Sequence, residues 1–211
     1  MRGLDREEYP PETLQRLLRG VTFFKDLLIK DSEQFELLMS VTRFTAADKN
    51  EVILHKGESA NVLYFLLKGE LSVLQSDVSN NALNLITAGE ILGVMGMVLN
   101  STRSASLKVN SRTALLAGID YSHFHDLNDH SMFSLETKLN FFRMLNANIR
   151  WNLEKNRFAS PEHPLVAALR KVPLITKPRG TQEELEALHN QAHALAQLLC
   201  DWNEAGMIAE R

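Results

Sequence analysis

Residues 93–109 read GVMGMVLNSTRSASLKV, and this stretch decides how the whole chain is interpreted. Two glycines interrupt a short apolar run, and a lone arginine, Arg103, follows ten residues after Gly93. Beyond the arginine, apolar and polar residues alternate through residues 104–109, as they do in a half-buried strand. The stretch therefore predicts a glycine-punctuated loop that presents one guanidinium beside a β-strand.

Short apolar runs of similar texture fill the region from Val41 to about Asp120. They are broken by glycine or polar turns, as in EVILHKGE (51–58) and LYFLLKGELSV (63–73). Turn signals recur about every 10 to 15 residues, which is typical of short antiparallel strands packed as a sandwich or a roll. We therefore predict a β-roll over residues 41–129.

Helical patterns precede and follow this roll. Residues 1–40 are predicted to hold N-terminal helices, because leucines recur at helical spacing from residue 11 onward. Residues 130–158 are predicted to form one long helix with a heptad seam, which runs through Met132, Leu135, Leu139, Phe142, Asn146, Ile149 and Leu153. A buried amide such as Asn146 sets the register of a two-stranded coil. We predict that the seam forms a homodimer; the alternative is a helix packed on its own domain.

Residues 159–211 form the predicted C-terminal region. Four of the six prolines of the chain lie between residues 159 and 181, which indicates a linker, and a short helix is predicted within it from Leu165 to Lys171. A last helix is predicted from about Gln182 to Asn203. Its apolar stripe could pack on the body of the protein or on a partner.

The bulk composition excludes several classes of protein. The net charge of −3 provides no overall basic field for nucleic acid or membranes. The single cysteine, Cys200, excludes an internal disulfide and fits a reducing compartment. The longest apolar run, Ile91 to Leu99, is far shorter than the roughly 20 residues of a membrane-spanning helix. We predict a cytoplasmic protein without a membrane segment.

No catalytic signature is present in the sequence. It contains neither a nucleophile elbow, nor a Walker loop, nor a dinucleotide or zinc-protease motif. His189 and His193 stand four residues apart on the predicted last helix, but no third ligand is identified beside them. We therefore predict a non-enzymatic protein with neither a metal site nor a cofactor.

The order of these features resembles the cyclic nucleotide-binding domain of the catabolite activator protein family and of cyclic-nucleotide-regulated kinases and channels. The resemblance covers about residues 20–157, and it is carried by the glycine-turned strands of 51–73 and by residues 93–109, which are similar to the phosphate-binding cassette of the family. It implies an α+β fold with an antiparallel β-roll, or double-stranded jelly roll, flanked by helices. A long dimerisation helix and a small helical C-terminal region would complete it.

The resemblance also implies a site for a cyclic phosphate. Arg103 would hold the phosphate, because a guanidinium fork can bond two oxygens. Glycines 93 and 96 would let the backbone approach the ligand, and Trp151 would stack on the base or pack in the dimer interface. The implied ligand is cAMP or cGMP, and the predicted ligand-binding residues are Gly93, Val94, Met95, Gly96, Arg103, Ser104, Ala105 and Trp151.

Val94 departs from the pattern of the family. In that pattern the residue after the cassette glycine is a glutamate that accepts a hydrogen bond from the ribose 2′-hydroxyl, and a valine accepts none. An unmet hydroxyl costs about 1–3 kcal/mol, which is roughly ten- to a hundredfold in affinity. Three outcomes stay open: weak cyclic nucleotide binding, a different anionic ligand, or an empty domain that serves as a dimeric platform.

Relatives often carry a DNA-binding domain after the dimer helix, but this chain has no lysine or arginine from Gln182 to Glu210. Contact with DNA phosphates needs such cations, so DNA binding is not expected. We predict a regulatory protein that binds a cyclic nucleotide and signals through its dimer helix and C-terminal helices to a protein partner. The alternatives are a ligand-free interaction platform and a degenerate transcription regulator.

Overall fold

The computed structural model describes residues 2–3, 9–75 and 82–209 of the chain. The chain forms two compact units, residues 1–123 and residues 124–211. Every strand of the described residues belongs to the first unit, and the second unit is helical.

A series of helices precedes the sheets of the first unit. They are α1 (Pro11–Leu18), α2 (Thr22–Lys30) and α3 (Ser32–Val41). Pro11 begins α1, where a missing backbone N–H is harmless. Asp31 caps α3, because its side-chain Oδ1 accepts a hydrogen bond from the backbone N–H of Gln34 at 3.1 Å. From residue 11 onward, these helices confirm the predicted helical pattern, whereas residues 4–8 lie outside the described residues.

The strands form two antiparallel sheets. In chain order they are β1 (Arg2–Gly3), β2 (Arg43–Asp48), β3 (Val52–Leu54), β4 (Val62–Lys68), β5 (Glu70–Leu74), β6 (Ala82–Thr87), β7 (Ile91–Leu92), β8 (Ser106–Val109) and β9 (Thr113–Asp120). One sheet has the order β1-β2-β9-β4-β7, and the other has the order β3-β8-β5-β6.

Apolar side chains from both sheets form one buried cluster. The first sheet contributes Ala47, Leu66, Leu92, Ala114 and Leu116, and the second contributes Ile53, Leu54, Leu71, Leu107 and Val109. Each sheet alone would leave this apolar face in water, so their burial against each other stabilises the pair. The predicted antiparallel β-roll is confirmed.

Two short helices complete the outline of the roll. Helix α4 (Val94–Val98) lies between β7 and β8, within the stretch 93–109. Helix α5 (Ser122–His125) follows β9 and ends just inside the second unit.

The second unit is built on two long helices. Helix α6 (Leu135–Ala159) begins at Ser134, whose hydroxyl accepts a hydrogen bond from the N–H of Thr137 at 3.2 Å. The short helix α7 (Leu165–Lys171) has the predicted bounds. Helix α8 (Gln182–Ala209) starts as predicted but continues six residues beyond Asn203.

The predicted homodimer seam is covered by the same chain. The seam residues Leu139, Phe142, Ile149 and Leu153 are fully buried, and α6 packs along α8. The Nδ2 group of Asn146 donates to the carbonyl oxygen of Leu188 on α8 at 2.8 Å, and Met132 lies before α6 begins. The interpretation of these residues as an intermolecular seam is therefore wrong, because a heptad pattern does not distinguish a partner helix of the same chain from one of another chain. A homodimer through another surface stays a prediction.

An ion pair joins α6 to the start of α8. Two nitrogens of the Arg143 guanidinium, Nε and Nη2, donate to Oε1 of Glu184 at 3.1 and 2.8 Å, and Nη2 also donates to Oε2 at 2.8 Å. Glu184 is buried, and its Oε2 also accepts a hydrogen bond from the backbone N–H of Gly180 at 2.7 Å. Such a forked pair fixes the direction as well as the distance of the contact.

Neither a membrane-spanning helix nor a metal-binding cluster is found among the residues that the structure describes. No helix there is both long enough and apolar enough to cross a lipid bilayer. Nor do three or more His, Cys, Asp or Glu side chains converge there as metal ligands would.

The stability of the second unit is expected to fall in mild acid because of His189. Burial lowers the pKa of His189 below its ordinary 6.5, the charge of His193 lowers it further, and a hydrogen bond with Asn190 acts against both. The unfolded chain therefore binds the proton more readily, so the free energy of unfolding should decrease as the pH drops through 6.5 toward the folded-state pKa. Denaturant unfolding followed from pH 8 to pH 5 measures this.

The matched variants for this prediction are His189→Gln and His125→Gln. His189→Gln should flatten the change of unfolding free energy between pH 8 and pH 5, whereas His125→Gln, which changes an exposed histidine, should leave it as in the wild type. If the unfolding free energy changes equally with pH in the wild type and in His189→Gln, the assignment of this change to His189 is wrong.

Candidate functional site

The cassette begins at Gly93, directly after β7. Gly93 has a φ of +83°, in the left-handed region, and precedes the first residue of α4. A Cβ at this position would collide with Nη1 of Arg103. A side chain at residue 93 would therefore strain the backbone and displace the guanidinium.

Gly96 allows α4 to pack closely on neighbouring loops. A Cβ there would lie 2.5 Å from Cβ of Ala60 and 3.2 Å from the carbonyl oxygen of Thr102. From the sequence, Gly93 and Gly96 were predicted to let the backbone approach a ligand. In the structure both glycines make room for other parts of the chain.

Arg103 points into the first unit and is only 7% exposed. Its Nη2 donates to the carbonyl oxygen of Val62 at 2.7 Å, and its Nη1 lies 3.5 Å from the carbonyl oxygen of Gly93. Its backbone is fixed as well, because its N–H donates to the carbonyl of Glu58 at 2.8 Å and its carbonyl accepts from Gly57 at 2.9 Å. The guanidinium is thus held between the start of β4 and the cassette.

Among the residues that the structure describes, Arg103 takes part in no ion pair. Burial lowers the pKa of Arg103, while Tyr64 and Glu58 nearby act in the opposite direction. Arginine nevertheless stays charged at neutral pH. A buried cation without a counter-ion is unfavourable, so this position would gain from an anion.

Ser104 is exposed, so it is not buried inside the first unit beside Arg103. The buried serine is Ser106, whose Oγ accepts a hydrogen bond from the backbone N–H of Lys56 at 3.0 Å. This bond ties the start of β8 to the turn after β3.

The other predicted site residues differ in burial. Val94 is 6% exposed, whereas Met95 and Ala105 are half-buried. Trp151 belongs to the second unit and is 61% exposed. The structure brings Gly93 and Arg103 into contact; the assignment of all eight residues to a ligand stays a prediction.

The predictions made from the sequence did not include Tyr64, which lies beside Arg103, or Gly118, which lies beside Tyr64. The ring centre of Tyr64 lies 5.9 Å from Cζ of Arg103. Gly118 on β9 stands opposite Tyr64 in the ladder with β4. The signal was present in ALLAGID (114–120), because a glycine inside an apolar strand often marks a close approach of another group.

Comparison with known proteins identifies the domain. The family model described as "Cyclic nucleotide-binding domain" matches residues 45–131. A cGMP-dependent protein kinase of Eimeria tenella is 24% identical over 123 residues, which are 58% of this chain and 12% of that protein. The chain therefore corresponds to a small part of the length of this relative.

A solved cyclic nucleotide-binding domain shares the fold. A cyclic nucleotide-binding domain from Methylobacillus flagellatus KT matches with a TM-score of 0.52 at 16% identity, over 73% of this chain and 94% of that one. The regulatory domain of Toxoplasma gondii PKA, crystallised with cAMP, matches with a TM-score of 0.48 at 16% identity, over 80% of this chain and 58% of that one. Residues 45–131 therefore match the cyclic nucleotide-binding domain model, and the first unit has the fold of such a domain.

Proposed function

We propose that the chain is a non-enzymatic regulatory protein whose first unit binds cAMP or cGMP through Arg103. The observation that supports this most is the nearly buried guanidinium, which has no carboxylate partner in the described part of the chain. A cyclic phosphate carries one negative charge and two free oxygens, and a guanidinium can bond both. The match of residues 45–131 to the cyclic nucleotide-binding domain model supports the class of ligand.

Binding through the donors that face Val62 and Gly93 requires an exchange of hydrogen-bond partners. In the structure, Arg103 donates to Val62 at 2.7 Å and makes a longer contact with Gly93 at 3.5 Å. A phosphate oxygen is a stronger acceptor than a neutral carbonyl oxygen, because it bears charge. The net gain is therefore the difference between the two sets of bonds, which keeps the affinity modest.

The sugar side of the site lowers the affinity further. Val94 is buried at the first position of α4 and offers no acceptor to a ribose hydroxyl. We therefore expect the wild type to bind cyclic nucleotides weakly, with the phosphate as the main point of recognition.

Val94→Glu is expected to bind cAMP or cGMP roughly ten- to a hundredfold more tightly than the wild type, because a carboxylate there satisfies the ribose hydroxyl. Isothermal titration calorimetry of both proteins with both nucleotides measures the change. Val98→Glu is the matched control, since Val98 is also buried and lies one turn further along α4. Circular dichroism checks that both variants fold. Equal affinities of Val94→Glu and Val98→Glu would refute the role assigned to residue 94.

Signalling would follow from a ligand that favours one of two arrangements of the helices. A ligand shifts such an equilibrium only by its difference in affinity for the two states. We propose that α6, α7 and α8 carry this change to a protein partner. A homodimer remains part of the proposal, but it must use a surface other than the seam that α8 covers.

A ligand-free interaction platform is the second candidate. The bond from Arg103 to Val62 and the burial of Val94 favour it, because the chain already satisfies part of the site. Under this alternative, cyclic nucleotides should neither release heat on titration nor raise the melting temperature. A degenerate transcription regulator is less well supported, because α8 is one continuous helix and its sequence from Gln182 to Glu210 has no lysine or arginine.

A further inference from the structure

Tyr64 faces the guanidinium that the proposed function assigns to the phosphate. Its ring centre lies 5.9 Å from Cζ of Arg103, within the range of cation–π contacts. Tyr64 lies on β4, two residues after Val62, whose carbonyl oxygen accepts the bond from Nη2. One short piece of β4 therefore contacts the guanidinium through a carbonyl oxygen and through a ring.

Gly118 provides the space that the ring occupies. Tyr64 and Gly118 are direct partners in the antiparallel ladder of β4 and β9. A Cβ on Gly118 would lie 2.9 Å from Cε1 and 3.2 Å from Cδ1 of the ring. The ring thus rests against the backbone of β9, and any side chain at residue 118 would push it away.

An aromatic ring suits a cation that must bind an anion. The face of the ring attracts the guanidinium through its quadrupole, whereas a carboxylate would neutralise the charge and occupy the N–H donors. We propose that Tyr64 is a positioning residue of the phosphate site, whose ring holds the Arg103 guanidinium in place without itself occupying an N–H donor. This inference rests on the proposed function for its ligand, but the contact itself can be measured without one.

NMR of the ligand-free wild type tests the contact directly. We expect nuclear Overhauser effects between the Arg103 side chain and the ring protons of Tyr64, together with a ring-current shift of the Arg103 signals. Tyr64→Phe keeps the ring and should preserve the shift, whereas Tyr64→Leu should remove it. Absence of both signals in the wild type overturns the proposal, whatever the variants do.

Titration with cyclic nucleotide tests the consequence. Tyr64→Phe should bind within about twofold of the wild type, and Tyr64→Leu should bind roughly 3- to 30-fold more weakly. Gly118→Ala leaves the tyrosine intact but displaces its ring, so it should weaken binding in the same direction if Tyr64→Leu does not fold. Wild-type affinity in a folded Tyr64→Leu overturns the proposal. Ring contacts in a wild type that binds no cyclic nucleotide would support the contact and refute the proposed function instead.

Discussion

Arg103→Ala is expected to weaken cyclic nucleotide binding by at least about a hundredfold. Each hydrogen bond to a charged group contributes about 1.5–3 kcal/mol, and the guanidinium can supply two to the phosphate. Calorimetry measures the loss, and the Val94→Glu background makes it measurable if the wild type binds too weakly. The affinity of Arg103→Lys should lie between those of the wild type and Arg103→Ala, because lysine keeps the charge but lacks the forked pair of donors.

Arg112→Ala is the control for this prediction. Arg112 is exposed on the turn between β8 and β9, and its removal should leave the affinity unchanged. Arg103→Ala also frees the carbonyl oxygen of Val62, so the melting temperature of each ligand-free variant is needed to separate lost binding from lost structure. A folded Arg103→Ala that binds with wild-type affinity would exclude Arg103 as the phosphate ligand.

Phe141→Ala is expected to destabilise the second unit by about 3–5 kcal/mol, the usual cost of removing a fully buried phenylalanine. Phe141 has no exposed surface. Its ring stacks on the ring of Phe124 with centroids 3.9 Å apart and meets the ring of Phe142 edge-on at 5.5 Å. Phe133 in turn stacks on Phe124, with centroids 4.7 Å apart. Truncation therefore leaves a cavity and removes aromatic contacts as well.

Denaturant unfolding followed by tryptophan fluorescence measures this loss. Both tryptophans of the chain, Trp151 and Trp202, belong to the second unit, so the signal reports that unit. Phe158→Ala is the control, because Phe158 is 73% exposed and its removal should change stability by no more than about 0.5 kcal/mol. If Phe141→Ala costs less than about 1 kcal/mol, the described aromatic core is not what holds the unit together.

The β-roll could be predicted because its signals are local. Glycine turns and alternating residues set strand ends and strand faces without reference to the rest of the chain. The spacing of Gly93 and Arg103 predicted two residues of one ligand site; the structure places Nη1 of Arg103 3.5 Å from the carbonyl oxygen of Gly93, and the ligand stays a prediction. The helix bounds from Leu165 to Lys171 followed from the prolines around them.

The partners of two predicted features could not be read from the sequence. The apolar seam of α6 has the same pattern whether its partner is a second chain or α8, and here it is α8, with Asn146 bonded to Leu188. The acceptors of Arg103 are backbone carbonyls, which any residue at positions 62 and 93 would provide. Only the folded chain reveals that the guanidinium is already partly satisfied.

The most direct test of the account is NMR of the Arg103 guanidinium during titration with cAMP and cGMP. We predict that its side-chain signals shift and saturate with added nucleotide, as the donors leave Val62 and Gly93 for the phosphate, while those of Arg112 stay in place. Guanidinium signals of Arg103 that do not move at saturating nucleotide, or that remain unchanged because no nucleotide binds, would contradict the account.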